Sequence, residues 1–365
     1  MKNISRCNNV IVNATATRSG GALTILNQLI NNIPDDNINY IVFVDKSFKY
    51  FVEKKNLQII KMEKRSYFKR FMWDAFGLKK YLKKHNIEPI AAISLQNTNF
   101  KLNTSCPNYI YYHQALPFHP HKWSFFKSKE RLFWFYKNIY PFFVNIFINK
   151  RTKIFIQLNC TKEDFAKRFH FDENNIYVVF PDIESFVSEP IPDLIINNEV
   201  VNLFYPATPL IYKNHQVLFE SLRVIDCQLS KKVVLYITCK QSDFQEVVNF
   251  NNVQIVFLDS IKLSNVMWLY AQMDAILFPS YIEALGLPLV EAASLGLPIL
   301  TVDLPYAKEV LKGYSGATFI DYQDAEKWGK EIKQLCQKEK YRYPKYKMNN
   351  KKNWNDFFEF IKKNI

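Results

Sequence analysis

The sequence predicts an α/β protein of two domains, each built on a parallel sheet covered by helices on both faces. Short apolar runs of strand character alternate with helical periodicity along most of the chain. At 365 residues there is material for two separate cores. The stretch Asp274 to Val302, DAILFPSYIEALGLPLVEAASLGLPILTV, is one complete strand, loop, helix, strand unit. An apolar run from Ala275 to Phe278 ends at Pro279, a loop carries Glu283, and Gly286 and Pro288 open a helix that contains Glu291. Gly296 and Pro298 end that helix, and Ile299 to Val302 reads as the next buried strand.

In chain order, Val10 to Asn13 is the first expected strand, and Ser19-Gly20-Gly21 follows as a turn. Leu23, Leu26, Leu29, Ile30 and Ile33 then recur at helical spacing. With eight glycines in the whole chain, an adjacent pair marks close backbone approach where a strand turns into a helix; a tight turn without any ligand is the plain alternative. Strands are expected at Tyr40 to Val44, Gln58 to Met62, Ile90 to Leu95 and Tyr109 to Tyr112. The last of these runs into His113, which places an imidazole at the carboxyl end of a parallel strand, where such sheets bind ligands. A lone histidine there could equally be structural, and His119 and His121 read as loop residues. Ile154 to Leu158 leads through Asn159-Cys160-Thr161 into a helix from Lys162 to Phe169, and Ile176 to Phe180 closes the first half.

Pro181, Pro190, Pro192 and Asn197-Asn198 interrupt every period, so the linker is expected between Pro181 and Glu199. The expected division is 1–182, 183–348 and a terminal helix in 349–365. The second half restarts with Val200 to Tyr205, then a loop through Thr208, and Tyr212-Lys213-Asn214-His215 opens a helix through Leu222. Strands follow at Val233 to Thr238, Gln254 to Leu258 and Ala275 to Phe278. Asp303 to Lys312, Asp324 to Cys336 and Trp354 to Lys362 read as helices.

Composition narrows the partners. Hydrophobic content of 48% and charged content of 22% are those of a globular chain. The six cysteines are scattered without a Cys-x-x-Cys, so reduced thiols are expected and neither a zinc site nor a disulfide framework. MKNISRCNNVIVNAT holds no apolar leader and enters a strand directly, so a cytoplasmic protein is expected. A net charge of +14 calls for an anionic partner: nucleic acid, an anionic membrane or acidic metabolites.

Around Glu283 and Glu291 the chemistry becomes specific. Backbone N–H groups at Gly286 and Leu287, at the positive end of a helix, suit a phosphate. A carboxylate beside an anion site repels phosphate but accepts hydrogen bonds from sugar hydroxyls, so the pattern fits a nucleotide-sugar. Two glutamates taken alone would be ordinary solvated side chains. The full string EALGLPLVEAASLGLPILTVD, however, resembles the E-x7-E signature of retaining glycosyltransferases of the GT4 type.

That resemblance implies the GT-B fold, two Rossmann-like domains facing across a cleft, the first for the acceptor and the second for the donor. It implies transfer of a hexose with retention and without a metal or other cofactor. The donor would be a nucleotide-diphosphate sugar, and the acceptor a hydroxyl of a lipid-linked glycan in surface polysaccharide synthesis. It gives Glu283 the sugar hydroxyls, Glu291 the ribose, and Gly286, Leu287 and Lys213 the diphosphate. Gly20 and Gly21 become the glycine loop facing donor phosphate and acceptor, and His113 a contact to the donor sugar. Thr208 departs from the pattern: it stands where the family ordinarily has an Arg, and a hydroxyl cannot neutralise phosphate. The terminal helix is expected to cross back onto the first domain.

Lys61 to His85 and Lys122 to Lys153 each interleave Lys and Arg with aromatics, among them Lys69, Arg70, Phe68 and Phe76 in the first, and Lys127, Arg131, Phe126 and Phe142 in the second. Such stretches suit the face of an anionic bilayer, at the inner side of the plasma membrane, unless the aromatics fill the core beneath solvated lysines. Nucleic acid is disfavoured because no recognised binding module accompanies the charge. A glycoside hydrolase, a nucleotide-sugar epimerase on the same fold and a non-enzymatic basic membrane-binding protein remain as rival readings.

Overall fold

The computed structural model describes residues 8–18, 20–50, 53–63, 66–102, 106–182, 188–244, 250–348 and 352–365. Cys7, Ser19, Lys64, Arg65, the 183–187 part of the expected linker and the expected boundary at 349 lie outside them. Two compact units emerge, one made of Met1–Asp182 with Asn350–Ile365 and one of Ile183–Asn349.

The first unit holds β1 (Asn8–Ala14), β2 (Ile38–Asp45), β3 (Leu57–Met62), β4 (Pro89–Ser94), β5 (Asn108–Tyr111), β6 (Thr152–Ile156) and β7 (Ile176–Val178). They form one sheet in the order β3-β2-β1-β4-β5-β6-β7, and every pairing is parallel. Alternation along β1 supplies both faces: Val10 and Val12 join the core under the helix Gly20–Asn31, and Ile11 joins the core with Trp73, Leu78 and Leu82. The segment after β3 runs as Tyr67–Met72, a π turn Trp73–Gly77 and Leu78–Lys84. A Cβ at Gly77 would come within 2.6 Å of the Trp73 ring, so the glycine lets that ring lie against the turn.

The helix Trp354–Lys363 belongs to this unit. Asn353 and Asp356 cap its start reciprocally. Trp354, Phe357, Phe358 and Ile361 enter the core beside Tyr40, Tyr111 and Phe155. The Tyr111 ring stacks on Trp354 at 5.0 Å, and Trp354 Nε1–H donates to Gln28 Oε1 at 3.0 Å. Phe180 N–H donates to the Lys352 carbonyl at 2.8 Å, tying the segments on either side of the second unit to each other.

The second unit holds β8 (Val201–Tyr205), β9 (Val233–Ile237), β10 (Val253–Phe257), β11 (Ala275–Phe278), β12 (Ile299–Val302) and β13 (Ala317–Ile320). Their order is β10-β9-β8-β11-β12-β13, again all parallel. The edge strand β13 is an addition to the expected set. It has only four residues, mostly half-buried, which leaves no period to read. Two helices differ in extent from expectation. Asn159-Cys160-Thr161 already forms the first turn of the helix Asn159–Phe169, and the Asp303 to Lys312 segment narrows to Pro305–Val310 because Pro305 sets its start. Cys106, Cys160, Cys227, Cys239 and Cys336 are free thiols. Among the described residues no helix is long and apolar enough to cross a membrane.

Candidate active site

Strands β8 and β11 are neighbours in the second sheet although β9 and β10 come between them in sequence. At such a reversal of strand order the loops leaving the carboxyl ends diverge and open a crevice. Lys213 comes from the loop after β8 and Glu283 from the loop after β11. Their side chains meet with Lys213 Nζ 2.5 Å from Glu283 Oε1, and only 17% and 14% of the two side chains stay exposed. The ammonium also lies 5.7 Å from the Tyr212 ring centre and 5.9 Å from that of Phe278, so a carboxylate and two aromatic faces share one cation.

Both loops are fixed from behind. Tyr205 O–H donates to the Lys213 carbonyl at 2.6 Å, and Asn214, in the left-handed region at φ 57°, donates from Nδ2 to the Tyr322 carbonyl at 2.7 Å. Tyr281 N–H donates to the Tyr212 carbonyl at 3.0 Å, and Tyr306 O–H donates to the Ser280 carbonyl at 2.5 Å. The Tyr281 and Tyr322 rings stack at 4.9 Å. Two segments distant in sequence are thereby locked in register just where Lys213 and Glu283 project.

The same loop enters the helix Leu287–Ser294 through Gly286 at φ 81°. A side chain there would be strained, and its Cβ would stand 3.2 Å from the Tyr306 ring. Leu289 N–H is already spent on the Gly286 carbonyl and Pro288 has none, which leaves the Gly286 and Leu287 amides as the donors for a ligand. One turn on, Glu291 is 7% exposed and accepts a hydrogen bond from Tyr270 O–H at 3.0 Å. Burial pushes its carboxyl up to about 7 against that bond, so near neutrality it can donate as well as accept. The helix closes with Gly296 N–H on the Ala293 carbonyl and Leu297 N–H on the Ala292 carbonyl, with Gly296 at φ 72°.

Thr208 lies on the exposed part of the loop after β8, its carbonyl accepting from Leu210 N–H at 2.8 Å. His215 begins the following helix, buried against the Tyr205 ring at 4.7 Å, with Cys239 Sγ 3.4 Å from its Nε2. Burial, helped by the charge of Lys213, holds this imidazole down at about 3, so it is neutral at physiological pH.

Gly20, Gly21 and His113 belong to the first unit, at the carboxyl ends of β1 and β5. Gly20 needs its glycine for φ 63°, yet a Cβ on Gly20 or Gly21 would meet nothing within 4 Å. The expected close approach is therefore not made by the described residues. His113 N–H donates to Asn97 Oδ1 at 2.7 Å. Its Nδ1 is buried with no hydrogen-bond partner among the described residues, and burial lowers the imidazole to about 4. His119 and His121 are loop residues, their carbonyls held by Lys137 Nζ at 2.5 and 2.6 Å.

Tyr270 and His215 were not read from the sequence, nor was a buried polar group under the Gly20 loop, made of Asn13, Thr15, Asp74 and Gln96. A signal existed for the last: Asp74 is an acidic residue in the middle of a basic stretch, and Gln96-Asn97-Thr98-Asn99 is a polar run straight after a buried strand. Among the described residues no three His, Cys, Asp or Glu side chains are grouped as metal ligands.

Residues 193–353 match the family of glycosyl transferases group 1. The O-antigen chain mannosyltransferase RfbU of Salmonella typhimurium is 26% identical over 196 residues, which is 52% of each chain. The serotype-specific mannosyltransferase WbdA of Escherichia coli is 32% identical over 119 residues, 31% of this chain and 14% of that protein. The matched part thus spans about half the length of the first relative and less of the second. A solved glycosyltransferase from Rickettsia africae shares the fold, with a TM-score of 0.59 at 14% identity over 91% of this chain and 88% of its own. The chain has the two-sheet GT-B fold, and its residues 193–353 form a glycosyl transferases group 1 domain.

Proposed function

We propose that this protein is a glycosyltransferase that moves a hexose, mannose in the first instance, from a nucleotide-diphosphate sugar to a hydroxyl of a lipid-linked glycan during O-antigen type polysaccharide synthesis. The observation that carries this reading is the Lys213–Glu283 pair beside the Gly286 and Leu287 amides, at the reversal of strand order in the matched domain. The mannosyl assignment is taken from the two relatives.

In the reaction the departing diphosphate gathers negative charge. Two fixed amides at a helix N-terminus stabilise that charge together with the Lys213 ammonium, whose backbone is held by Tyr205. Glu283 takes sugar hydroxyls and so orients the anomeric carbon. Glu291 takes the ribose hydroxyls from a site where burial excludes water. Transfer with retention and without a metal completes the reading. Thr208 offers only a hydroxyl, so Lys213 is the principal cation this loop contributes to the diphosphate.

The first unit supplies the acceptor side, with Gly20 and Gly21 facing donor phosphate and acceptor and His113 contacting the donor sugar, and an anionic membrane surface at the cytoplasmic face is its second partner. Among the described residues, six aromatics on the two basic stretches are exposed: Tyr67 at 61%, Phe68 at 72%, Phe76 at 59%, Phe125 at 47%, Phe126 at 91% and Phe142 at 63%. The stretches also touch, Phe71 lying 5.7 Å from Phe143 and Tyr67 6.2 Å from Phe135, so they make one surface.

The test is a thermal-shift panel of UDP-, GDP-, ADP- and dTDP-sugars, followed by the stabilising donor in radiolabelled form with a membrane extract of the source cells. A donor at 100 times its dissociation constant adds about 2.7 kcal/mol. Label in the lipid fraction, lost in Lys213→Ala, is the expected result. Free sugar or an epimer as the sole product would overturn the reading.

A further inference from the structure

Asp74 is only 6% exposed and sits in the π turn Trp73–Gly77, whose wider winding turns its carboxylate inward. Asn13 Nδ2 donates to its Oδ1 at 2.9 Å, and Gln96 Nε2 donates to Oδ1 at 3.0 Å and reaches Oδ2 at 3.3 Å. Held that way round, Gln96 turns its Oε1 toward the loop after β1. There it accepts from Ala16 N–H at 3.1 Å and from Thr15 O–H at 3.2 Å, and the Thr15 hydroxyl is also 3.1 Å from Asn13 Oδ1. The backbone of the same residue is held as well: Tyr140 O–H donates to the Gln96 carbonyl at 3.1 Å. The next residue, Asn97, in the left-handed region at φ 63°, receives the His113 N–H.

An amide side chain has one acceptor end and one donor end, so its orientation is a choice that a neighbour must make. Asp74, an acceptor at both oxygens, makes it. Reversing Gln96 would set its NH2 against the Ala16 N–H and its oxygen against the carboxylate. A buried carboxylate is costly to keep, and an apolar residue would fill the same space more cheaply. What the carboxylate adds is a single setting for the segment that leads into Gly20 and Gly21 and for the one that receives the His113 peptide.

We propose that Asp74, acting through Gln96, is a positioning residue for glycosyl transfer, fixing the loop that carries Gly20 and Gly21 in register with His113. The assignment rests on the substrate-facing roles given above to those three residues. It implies that the polarity of the pair matters and the place of the charge does not. Asp74→Asn can keep an oxygen for Asn13 and Gln96 where Oδ1 stands, but it sets an NH2 group against the Gln96 Nε2 that reaches Oδ2. Gln96→Glu sets two carboxylates face to face. The double variant Asp74→Asn/Gln96→Glu removes the facing carboxylates: because Asn13 and Gln96 both bond Oδ1, the amide at position 74 turns to offer its oxygen to Asn13 and its NH2 to the carboxylate at position 96, which in turn accepts from Ala16 and Thr15.

The experiment compares the four full-length proteins by hydrogen exchange of the peptide covering 14–22, by thermal unfolding and by transfer from the stabilising nucleotide-sugar to the source-cell membrane extract. Each single variant is expected to speed exchange in 14–22 and to lower kcat for transfer at least tenfold, with KM for the donor unchanged. The double variant is expected to recover both to within about threefold. Single variants with wild-type exchange and transfer would overturn the proposal, and so would a double variant that folds but recovers neither, or that fails to fold. If the wild type transfers no sugar, the functional reading fails, while the exchange pattern still decides whether Asp74 sets the loop.

Discussion

Lys213 and Glu283 stand 70 residues apart in sequence and meet at 2.5 Å, Nζ to Oε1, with both side chains mostly buried. In the free protein the carboxylate occupies the ammonium that a diphosphate would need. On the proposed function, donor binding would exchange one anion for another, releasing Glu283 toward the sugar as Lys213 turns to phosphate. Glu283→Gln is expected to bind the nucleoside diphosphate product threefold to tenfold more tightly, roughly 1 kcal/mol for a charge-assisted bond no longer in competition, while transfer falls at least a hundredfold. Lys213→Ala should weaken nucleotide binding at least tenfold. Calorimetry with UDP and GDP on the three proteins measures both signs, and weaker binding by Glu283→Gln would refute the exchange.

Two buried groups in the second unit tilt stability in opposite directions with pH. Glu291 titrates at about 7 in the fold and at 4.5 when unfolded, so the folded state holds the extra proton between those values. Stability is then lost as pH rises from 4.5 to 7, by up to about 3 kcal/mol, and is level above. Glu291→Gln keeps an oxygen for Tyr270 O–H and lacks this slope, so it should gain on the wild type as pH rises and stay ahead at pH 8. His215 is held down at about 3 from 6.5, so the unfolded chain binds the proton first and stability is lost as pH falls below 6.5. Denaturant unfolding from pH 5 to 8.5 of wild type, Glu291→Gln and His215→Gln should separate the two slopes.

The aromatic surface of the first unit should bind vesicles carrying about a third anionic lipid, and release them as salt rises. Exchanging Phe126 and Phe142 together for Ser removes two rings that are exposed in the free protein, so folding should be unaffected while partitioning drops about tenfold or more. Flotation across a salt series reads both. Equal recovery of the variant with the vesicles would show that the rings do not insert.

Gly296 is a stricter position than its place at a helix end suggests. Besides its φ of 72°, a Cβ there would fall 2.2 Å from the Tyr343 carbonyl oxygen, whose own N–H donates to the Gly296 carbonyl at 2.8 Å. Gly296→Ala must displace the passing segment as well as strain the backbone, and should cost more than about 3 kcal/mol. Gly313→Ala is the control: φ is 86°, but nothing lies within 4 Å of the added carbon, so only the strain remains, roughly 1 kcal/mol. Thermal unfolding of both gives the comparison.

The strands at Val10 to Asn13, Ala275–Phe278 and Ile299–Val302 were legible because each is a short apolar run buried on both faces. Ala317–Ile320 was not, since an edge strand is half in solvent and carries no such run. The neighbourhood of Glu283 through Glu291 could be read because loop and helix are continuous in sequence. Its pairing with Lys213 could not, because that contact depends on β8 and β11 lying side by side, a property of sheet order that no local pattern encodes. Tyr270 was hidden for a related reason: on an amphipathic helix a tyrosine looks like core, and only the structure puts its hydroxyl on Glu291. Asp74 was overlooked in a window whose lysines dominated the charge.

The placement of Trp354 and its helix has a consequence for how the chain is made. A ribosome delivers β1 through β7 long before Trp354, and the core between Tyr40, Tyr111 and Phe155 stays open on that side until Trp354 to Ile361 emerge. The second unit, whose strands are contiguous in sequence, has all its parts earlier than the first has its own. A stop before Trp354 would therefore damage the part synthesised first, exposing aromatic side chains at its sheet. Co-translational folding assays should find the first unit protease-sensitive until the helix Trp354–Lys363 clears the exit tunnel.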